Sequence, residues 1–427
     1  MIRYQFNFSI GLLFSFFVLH IIAQESNLIV IDLKNPIVEH IPMSRMFSDI
    51  EYIQLENRDN FKFNKKAVYY LSNEYIIVAN IFDGVFAFDR KTGQFVKQIS
   101  EEGGGDGKYL RMPIFNYGFD EKNDVFFFDD YQQWKGVEMA SNKEVVKITK
   151  PKERRVISLP NKESGTSQAA LTVSSESSIS ENANEGWKQG SIFNPWSLGN
   201  GKYAGFVNNS TGNIDVGLVI FDVNGKVLKS FPNTRKYERE LMSSPVNSGQ
   251  FYAYDGETYF KEFFYNDTVF HIKDEALIPH ILFDTGDKQL PYESLSYDFD
   301  KRNDDKYKIT FVQETDLYIF FNYLIYDEVE KQKILFSGYY DKKLEQTFVC
   351  KAKDGFGGFI DDINGLSSFN PLYINSKEEL IGKLSSSYLE HYDESRLSEL
   401  GQTVFKDMKK SDNPVIVIAH LKGEIGK

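Results

Sequence analysis

The sequence has a single cysteine, Cys350, among its 427 residues. One cysteine cannot form an internal disulfide, so the folded chain depends on a hydrophobic core, which a chain of this length can supply. Histidine is scarce too: the six residues are scattered, and no HExxH segment or close pair occurs, which argues against a zinc hydrolase. No GxSxG segment is present either, so the sequence offers no serine-hydrolase nucleophile elbow.

Positive charge is also in short supply. Lys and Arg total 49 against 61 Asp and Glu, which gives a formal net charge of −12. An acidic surface repels phosphate groups, so we expect no nucleic-acid partner and no adsorption to anionic lipid.

Long apolar runs are missing after the N-terminus. The longest run, residues 10–23, follows Arg3 and ends at Ala23, and it is shorter than the roughly 20 residues that a membrane span needs. This pattern predicts a signal peptide over residues 1–23, with an uncleaved anchor as the alternative. We therefore expect the mature chain, residues 24–427, to be periplasmic or extracellular and to have no transmembrane segment. Because no cysteine ends the leader, we expect no lipid anchor.

Aromatic residues, in contrast, are abundant, with 37 Phe and 25 Tyr. Aromatic and β-branched side chains favour half-buried pleated surfaces. From residue 28 onward, short runs of such residues alternate with turn residues such as Ser72-Asn73 and Asp83-Gly84. This alternation predicts a long series of short antiparallel strands.

One hairpin pattern recurs along the chain, with a strand, a turn containing Asp, Asn, Gly or Lys, and a second strand. It occurs at residues 85–99, 218–231, 269–283 and 335–349. The spacing between these hairpins indicates a period of about 45–68 residues, close to that of four-stranded propeller blades. The period alone leaves six and seven blades open.

Three segments depart from this pattern. Residues 161–190 are rich in Ser, Asn, Glu and Gly, which predicts a loop insertion. Residues 376–410 have apolar residues at helical spacing, with Ser376 as a candidate N-cap, which predicts a short helical segment in the last blade. Residues 414–421 form a final β run, so we expect the two chain ends to share one blade and close the ring.

Four stretches carry a resemblance to a known family: FSDIEYIQLEN (47–57), FDRKTGQFVKQISEEGGGDGKYL (88–110), YNDTVFHI (265–272) and GGFIDDINGLSSFNPLYI (357–374). In these stretches the sequence resembles the six-bladed β-propeller proteins that are abundant among exported proteins of Bacteroidetes. The resemblance implies an all-β fold, a single six-bladed domain over residues 24–427, and ring closure by the N- and C-terminal strands. Asp106 and Lys108 replace the Pro and Glu that are usual in the Gly-rich loop of this family. The resemblance implies no particular reaction.

The strongest polar cluster is Asp361, Asp362 and Asn364. Carboxylate and amide oxygens in this order resemble half of a calcium loop, but the spacing differs and no Glu stands at the closing position. The alternative is a turn capped by the Asp and Asn side chains. If they face the channel mouth, these residues are candidates for ligand binding.

A second candidate group is Asp129, Tyr131 and Trp134, with Asp130 next to the first. Paired carboxylates near aromatic rings suit a sugar-binding or glycosidase site. Adjacent residues on a strand point to opposite faces, however, so Asp129 and Asp130 cannot easily act on one bond. The alternative for the aromatic residues is packing between blades.

The sequence thus favours a non-catalytic recognition module of the cell envelope that binds a glycan, a peptide or a protein at the channel mouth. The alternative is a calcium-dependent hydrolase or lyase with an Asp/Asn cluster in the central channel, and a third class is a structural scaffold. Calcium is the one cofactor that the sequence suggests, and only for the alternative.

Overall fold

The computed structural model describes residues 28–58, 63, 67–80, 84–102, 108–109, 117–130, 133–151, 192–209, 212, 214–233, 237, 249–263, 266–291, 305–327, 331–351, 357–384, 394–409 and 413–423. The predicted signal peptide and the predicted loop insertion at 161–190 lie outside these residues.

The first three strands do not pair with one another. They are β1 (Ile29–Asp32), β2 (Ile37–Glu39) and β3 (Phe47–Gln54), with a 3-10 helix at Met43–Arg45 before β3. Each of them joins a sheet that is formed much later in the chain.

The first three sheets, numbered as blades in chain order, consist of consecutive strands. Blade 1 contains β4 (Val68–Leu71), β5 (Tyr75–Asn80), β6 (Gly84–Asp89), β7 (Phe95–Glu102) and β8 (Lys108–Tyr109). Blade 2 contains β9 (Tyr117–Asp120), β10 (Val125–Asp130), β11 (Gln133–Glu138) and β12 (Glu144–Thr149). Blade 3 contains β13 (Ile192–Gly199), β14 (Lys202–Val207), β15 (Val216–Asp222) and β16 (Val227–Pro232).

The remaining three sheets each take up one N-terminal strand. Blade 4 contains β17 (Gly249–Tyr254), β18 (Glu257–Glu262), β19 (Thr268–Lys273) and β20 (Ala276–Asp284), followed by β1. Blade 5 contains β21 (Lys308–Glu314), β22 (Tyr318–Asp327), β23 (Gln332–Asp341) and β24 (Gln346–Cys350), followed by β2. Blade 6 contains β25 (Tyr373–Ile374), β26 (Glu379–Leu384) and β27 (Val415–Leu421), followed by β3.

The six sheets form a ring that the two chain ends close. In blade 6, β27 pairs antiparallel with β3, and Val417 lies opposite Tyr52. The first strands of neighbouring blades contact each other, including β9 with β13, β17 with β21, β21 with β25 and β25 with β4. The six-bladed propeller and its closure by the terminal strands are therefore confirmed.

The recurring hairpins form the third and fourth strands of blades 1, 3, 4 and 5. Three of them share an Asp at the end of the third strand, where Oδ1 accepts hydrogen bonds from backbone N–H groups of the turn. Asp89 accepts from Thr92 at 2.8 Å, Asp222 from Asn224 at 2.9 Å, and Asp341 from Leu344 at 2.9 Å. The repeated Asp is thus a local turn cap.

The helical prediction for residues 376–410 is correct only in part. The first portion is strand β26 rather than a helix capped by Ser376, and the α-helix, α1, covers Glu399–Met408. β26 lies between two other strands with most of its side chains buried. A short segment that is buried on both faces is hard to distinguish from a buried helix by its periodicity. Two further 3-10 helices lie at Gly286–Lys288 and Glu394–Arg396.

The propeller has two unlike faces. Because strands alternate in direction, one face carries the turns after the first and the third strand of each blade, and we call it the turn face. The opposite face carries the turns after the second strand and the links between blades, and we call it the link face. Between consecutive strands, the turn-face connections are two to five residues long.

Candidate functional site

Asp361 lies on the link face, in the connection between blades 5 and 6. Its Oδ1 accepts hydrogen bonds from the backbone N–H groups of Ile363 at 3.2 Å and Asn364 at 2.8 Å. Its Oδ2 accepts from the Tyr52 hydroxyl at 2.6 Å and from the backbone of Leu366 at 3.2 Å. Both carboxylate oxygens therefore hold the turn and attach it to blade 6.

The two neighbouring candidates also contact the chain itself. Asp362 accepts hydrogen bonds from the backbone N–H of Ser44, at 2.9 Å, and from its hydroxyl. Asn364 accepts through Oδ1 from the Ser398 hydroxyl, at 2.8 Å, and donates through Nδ2 to the Tyr52 hydroxyl, at 3.2 Å. Ser44 precedes β3, and Tyr52 is on β3, the outermost strand of blade 6. The cluster thus lies at the outer rim of the propeller, away from the ring of first strands.

The acidic pair of blade 2 is engaged in ion pairs. The Asp129 carboxylate lies 2.5 Å from Lys150 Nζ, and the Asp130 carboxylate lies 2.9 Å from Lys135 Nζ. Both Asp side chains are at least nine-tenths buried. Because each carboxylate has its own lysine, the two do not converge on one point.

Trp134 is fully buried. Its ring lies 5.6 Å from that of Phe221 in blade 3, and Lys150 Nζ lies 5.2 Å from its centroid. Trp134 therefore packs between blades 2 and 3. Tyr131, the other aromatic candidate, lies outside the described residues.

The structure does not bring the two predicted groups together, since one belongs to blade 2 and the other to the connection between blades 5 and 6. Within the described ranges, no group of three or more His, Cys, Asp or Glu side chains is placed to hold a metal ion. Nor does any helix of this part of the chain have the length and apolar character to cross a membrane.

Glu121, which sequence reasoning missed, connects two blades on the turn face. It follows β9 in blade 2 and contacts blade 6, on the far side of blade 1. Its carboxylate accepts hydrogen bonds from the Tyr373 hydroxyl at 3.0 Å and from the Ser376 hydroxyl at 2.6 Å. Burial, followed by the Glu121 charge, raises the pKa of Tyr373 well above its usual range. The Tyr70 ring of blade 1 lies 5.4 Å from the Tyr373 ring, so three blades meet at this end.

Two glutamines join the first strands of blades 4, 5 and 6. Gln250 Oε1 accepts a hydrogen bond from the backbone of Val312 at 3.2 Å. Gln313 Nε2 donates to the carbonyl of Ile374 at 3.1 Å, and its Oε1 accepts from the N–H of the same residue at 2.5 Å. These side chains supply the inter-blade hydrogen bonds that a continuous sheet would otherwise supply.

Glu314, also missed from the sequence, is the centre of a network between blades 4 and 5. Its side chain is 1% exposed, and its two oxygens lie 2.7 Å from His280 Nε2 and 2.7 Å from Lys342 Nζ. The Tyr259 ring packs 4.6 Å from the His280 ring. Burial, followed by the Glu314 charge, raises the pKa of Tyr252 well above its usual range. The one available signal is an acidic residue at the end of an apolar strand, which does not identify a partner.

Comparisons with known proteins agree with this architecture. A family model described as a 6-bladed beta-propeller matches residues 22–135. A second model, described as a domain of unknown function, DUF4934, matches residues 188–420. A search of curated proteins found no match.

Solved structures provide a further comparison. A candidate exported protein from Bacteroides fragilis is 14% identical, with a TM-score of 0.62, over 92% of this chain and 100% of that chain. A member of the DUF4221 family from Bacteroides vulgatus is 9% identical, with a TM-score of 0.44, over 88% of this chain and 98% of that chain. At these identities the first likeness extends to the fold alone. With more than half of its length matched by one model, the chain belongs to the DUF4934 family, and its fold is a six-bladed β-propeller.

Proposed function

We propose that this protein is an exported, non-catalytic binding module that recognises a glycan, a peptide or a protein through its link face. The observation that carries the proposal is the difference in connection length between the two faces. The link-face connections include residues 150–191, 285–307, 351–372 and 385–414. Long connections on a rigid scaffold are where binding proteins commonly place their contact residues.

The turn face is less suited to recognition. Its connections are short, and the Glu121 carboxylate joins blades 2 and 6 on this face. We therefore expect a ligand at the link face.

The charges of the described residues favour binding over catalysis. Asp129, Asp130 and Glu314 are each paired with a lysine at 2.5, 2.9 and 2.7 Å. A general acid or base needs a carboxylate that can reach a substrate proton, whereas these carboxylates are buried against cations. The predicted role of Asp361, Asp362 and Asn364 in binding stays a prediction. Asp361 and Asn364 are buried, and Asp362 is the exposed member of the three.

Two exposed apolar side chains on the link face provide a direct test. Ile363 is 40% exposed and Leu372 is 38% exposed, and both belong to the connection between blades 5 and 6. Leu344, which is 58% exposed in a turn of blade 5, is the matched residue on the turn face.

The experiment screens the mature protein against immobilised polysaccharides and peptides, and then compares three variants on any ligand found. We expect Ile363→Asp and Leu372→Asp to weaken binding about tenfold or more, since buried apolar contacts dominate interface energies. We expect Leu344→Asp to leave it unchanged. Loss of binding in Leu344→Asp alone would move the site to the turn face, and turnover of a ligand would reject the non-catalytic assignment.

Export has its own test. The apolar run at residues 10–23, after Arg3, supports a cleaved leader. We expect N-terminal sequencing of the protein from the envelope or the medium to start near Gln24. A chain that retains Met1 in the membrane fraction would favour the uncleaved anchor.

A further inference from the structure

Residues 28–46, which we call the strap, run along the outer edges of blades 4 and 5. β1 pairs in parallel with β20, so that Ile31 lies opposite Phe283. β2 pairs in parallel with β24, so that Val38 lies opposite Val349. The strap then reaches blade 6 at β3.

Five apolar side chains anchor the strap at two junctions. Ile31 and Leu33 are buried in the core cluster that blades 4 and 5 share. Ile41, Met43 and Met46 are buried in the cluster that blades 5 and 6 share. Every anchor therefore contacts side chains that come together only when neighbouring blades are assembled.

The ring does not depend on the strap for its closure. Blades 4 and 5 each have four antiparallel strands of their own, and the fourth strand of blade 6 is β3, which follows the strap. The outer side of the strap is open, with Val30 45% exposed and Val38 56% exposed. The ion pair that joins the strap to blade 4, Lys34 with Asp284 at 2.6 Å, is partly exposed and so contributes little.

The partners of the strap lie far along the chain. β1 needs β20, β2 needs β24, and the backbone of Met43 donates to the carbonyl of Ile360 at 2.8 Å. None of these three contacts involves β3 or β27, the two strands that seal blade 6.

We propose that the strap opens as a unit while the ring stays closed. Its opening uncovers the outer edges of β20 and β24 and leaves β3 paired with β27. The strap is thus a conformational element separate from the blade that seals the propeller.

Native-state hydrogen exchange of the mature protein tests the opening. We expect the amides of β1 and β2 to exchange at least about tenfold faster than those of β3 and β27, with a weaker dependence on denaturant, as a local opening gives. Exchange of all four strands in one cooperative event would overturn the proposal.

A pair of variants separates the strap from the ring. Ile31→Ala truncates a buried anchor of the strap, and Val417→Ala truncates a β-branched residue of β27 that is buried to a similar extent. We expect the first to accelerate exchange in residues 28–46 alone, and the second to accelerate it throughout blade 6. If Ile31→Ala accelerates exchange equally in β27, the strap is part of the ring and the proposal fails.

Discussion

Replacing Glu314 with Gln should destabilise the protein by breaking the charge network between blades 4 and 5. The Glu314 side chain is 1% exposed, and its two oxygens lie 2.7 Å from Lys342 Nζ and 2.7 Å from His280 Nε2. Glutamine keeps the shape but removes the charge. Lys342 would then be left without its carboxylate partner in a largely buried position.

The size of the stability loss depends on the contacts that Lys342 keeps in the Glu314→Gln variant. Removing one partner of a buried ion pair costs about 3–5 kcal/mol. Lys342 keeps its hydrogen bond to the carbonyl of Thr315, at 2.6 Å, and its side chain is 19% exposed. We therefore expect the lower end of that range, about 3 kcal/mol in the free energy of unfolding.

Urea unfolding, followed by tryptophan fluorescence, measures this loss. The matched control is Glu257→Gln, since Glu257 contacts His271 at 3.2 Å but is 46% exposed, and an exposed pair contributes about 0–1 kcal/mol. In the double variant Glu314→Gln with Lys342→Met, no buried charge is left unpaired, so part of the loss should be recovered. Equal losses for Glu314→Gln and Glu257→Gln would refute the reasoning.

Burial lowers the pKa of Lys261 to about 8 from its ordinary value of 10.5. Between these two pH values the unfolded chain binds more protons than the folded chain, so the free energy of unfolding should rise with pH from about 8 to 10. This rise should vanish in Lys261→Met. The same rise in both proteins would contradict the lowered pKa of Lys261. Burial raises the pKa of Tyr252 above 10, so stability that is present below pH 10 should be lost above it, and urea unfolding at pH 10–11 should show a smaller loss in Tyr252→Phe than in the native chain. Gly365 and Gly256 both have a positive φ, of +75° and +73°. A Cβ at Gly365 would lie 2.3 Å from the carbonyl oxygen of Arg396, whereas a Cβ at Gly256 would have no atom within 4 Å. Gly365→Ala should thus lose clearly more stability in urea than the roughly 1–2 kcal/mol of left-handed strain expected for Gly256→Ala, and equal losses would show that the site relaxes.

The local parts of the fold were predictable from the sequence. The hairpins that turn at Asp89, Asp222 and Asp341 combine short apolar runs with an Asp that caps the turn, and both signals lie within about 15 residues. The number of blades could not be predicted from local patterns, because the spacing of the hairpins allowed six or seven blades. Only the resemblance to a family indicated six.

Apart from the closure of the ring by the chain ends, the long-range strand pairings were not predictable. The sequence of residues 28–33 predicts a strand, but nothing in it indicates that this strand pairs with β20. The error at β26 has a related cause, since a strand that is buried on both faces has no period-2 pattern.

In the candidate site, too, local contacts were predictable from the sequence and contacts between blades were not. The turn-capping alternative for Asp361 describes its observed hydrogen bonds, because those partners are within five residues apart from Tyr52. Glu121 and Glu314 have partners in other blades, which only the closed ring brings close. The prediction that Asp129 and Asp361 contact a ligand stays a prediction, which the binding experiment tests.

The central claim is that the two chain ends share blade 6, and a disulfide across that pairing tests it most directly. Asp49 on β3 lies opposite His420 on β27, and directly opposed residues in an antiparallel pair have Cα separations of about 4.5–5.5 Å, within disulfide range. Cys350 is buried, so mild oxidation of Asp49→Cys with His420→Cys should give an intramolecular crosslink in nearly all molecules, seen as faster migration in a non-reducing gel. The single-cysteine variants should not shift. A double variant that stays uncrosslinked under native conditions, or that crosslinks only between molecules, would contradict a ring closed by β3 and β27.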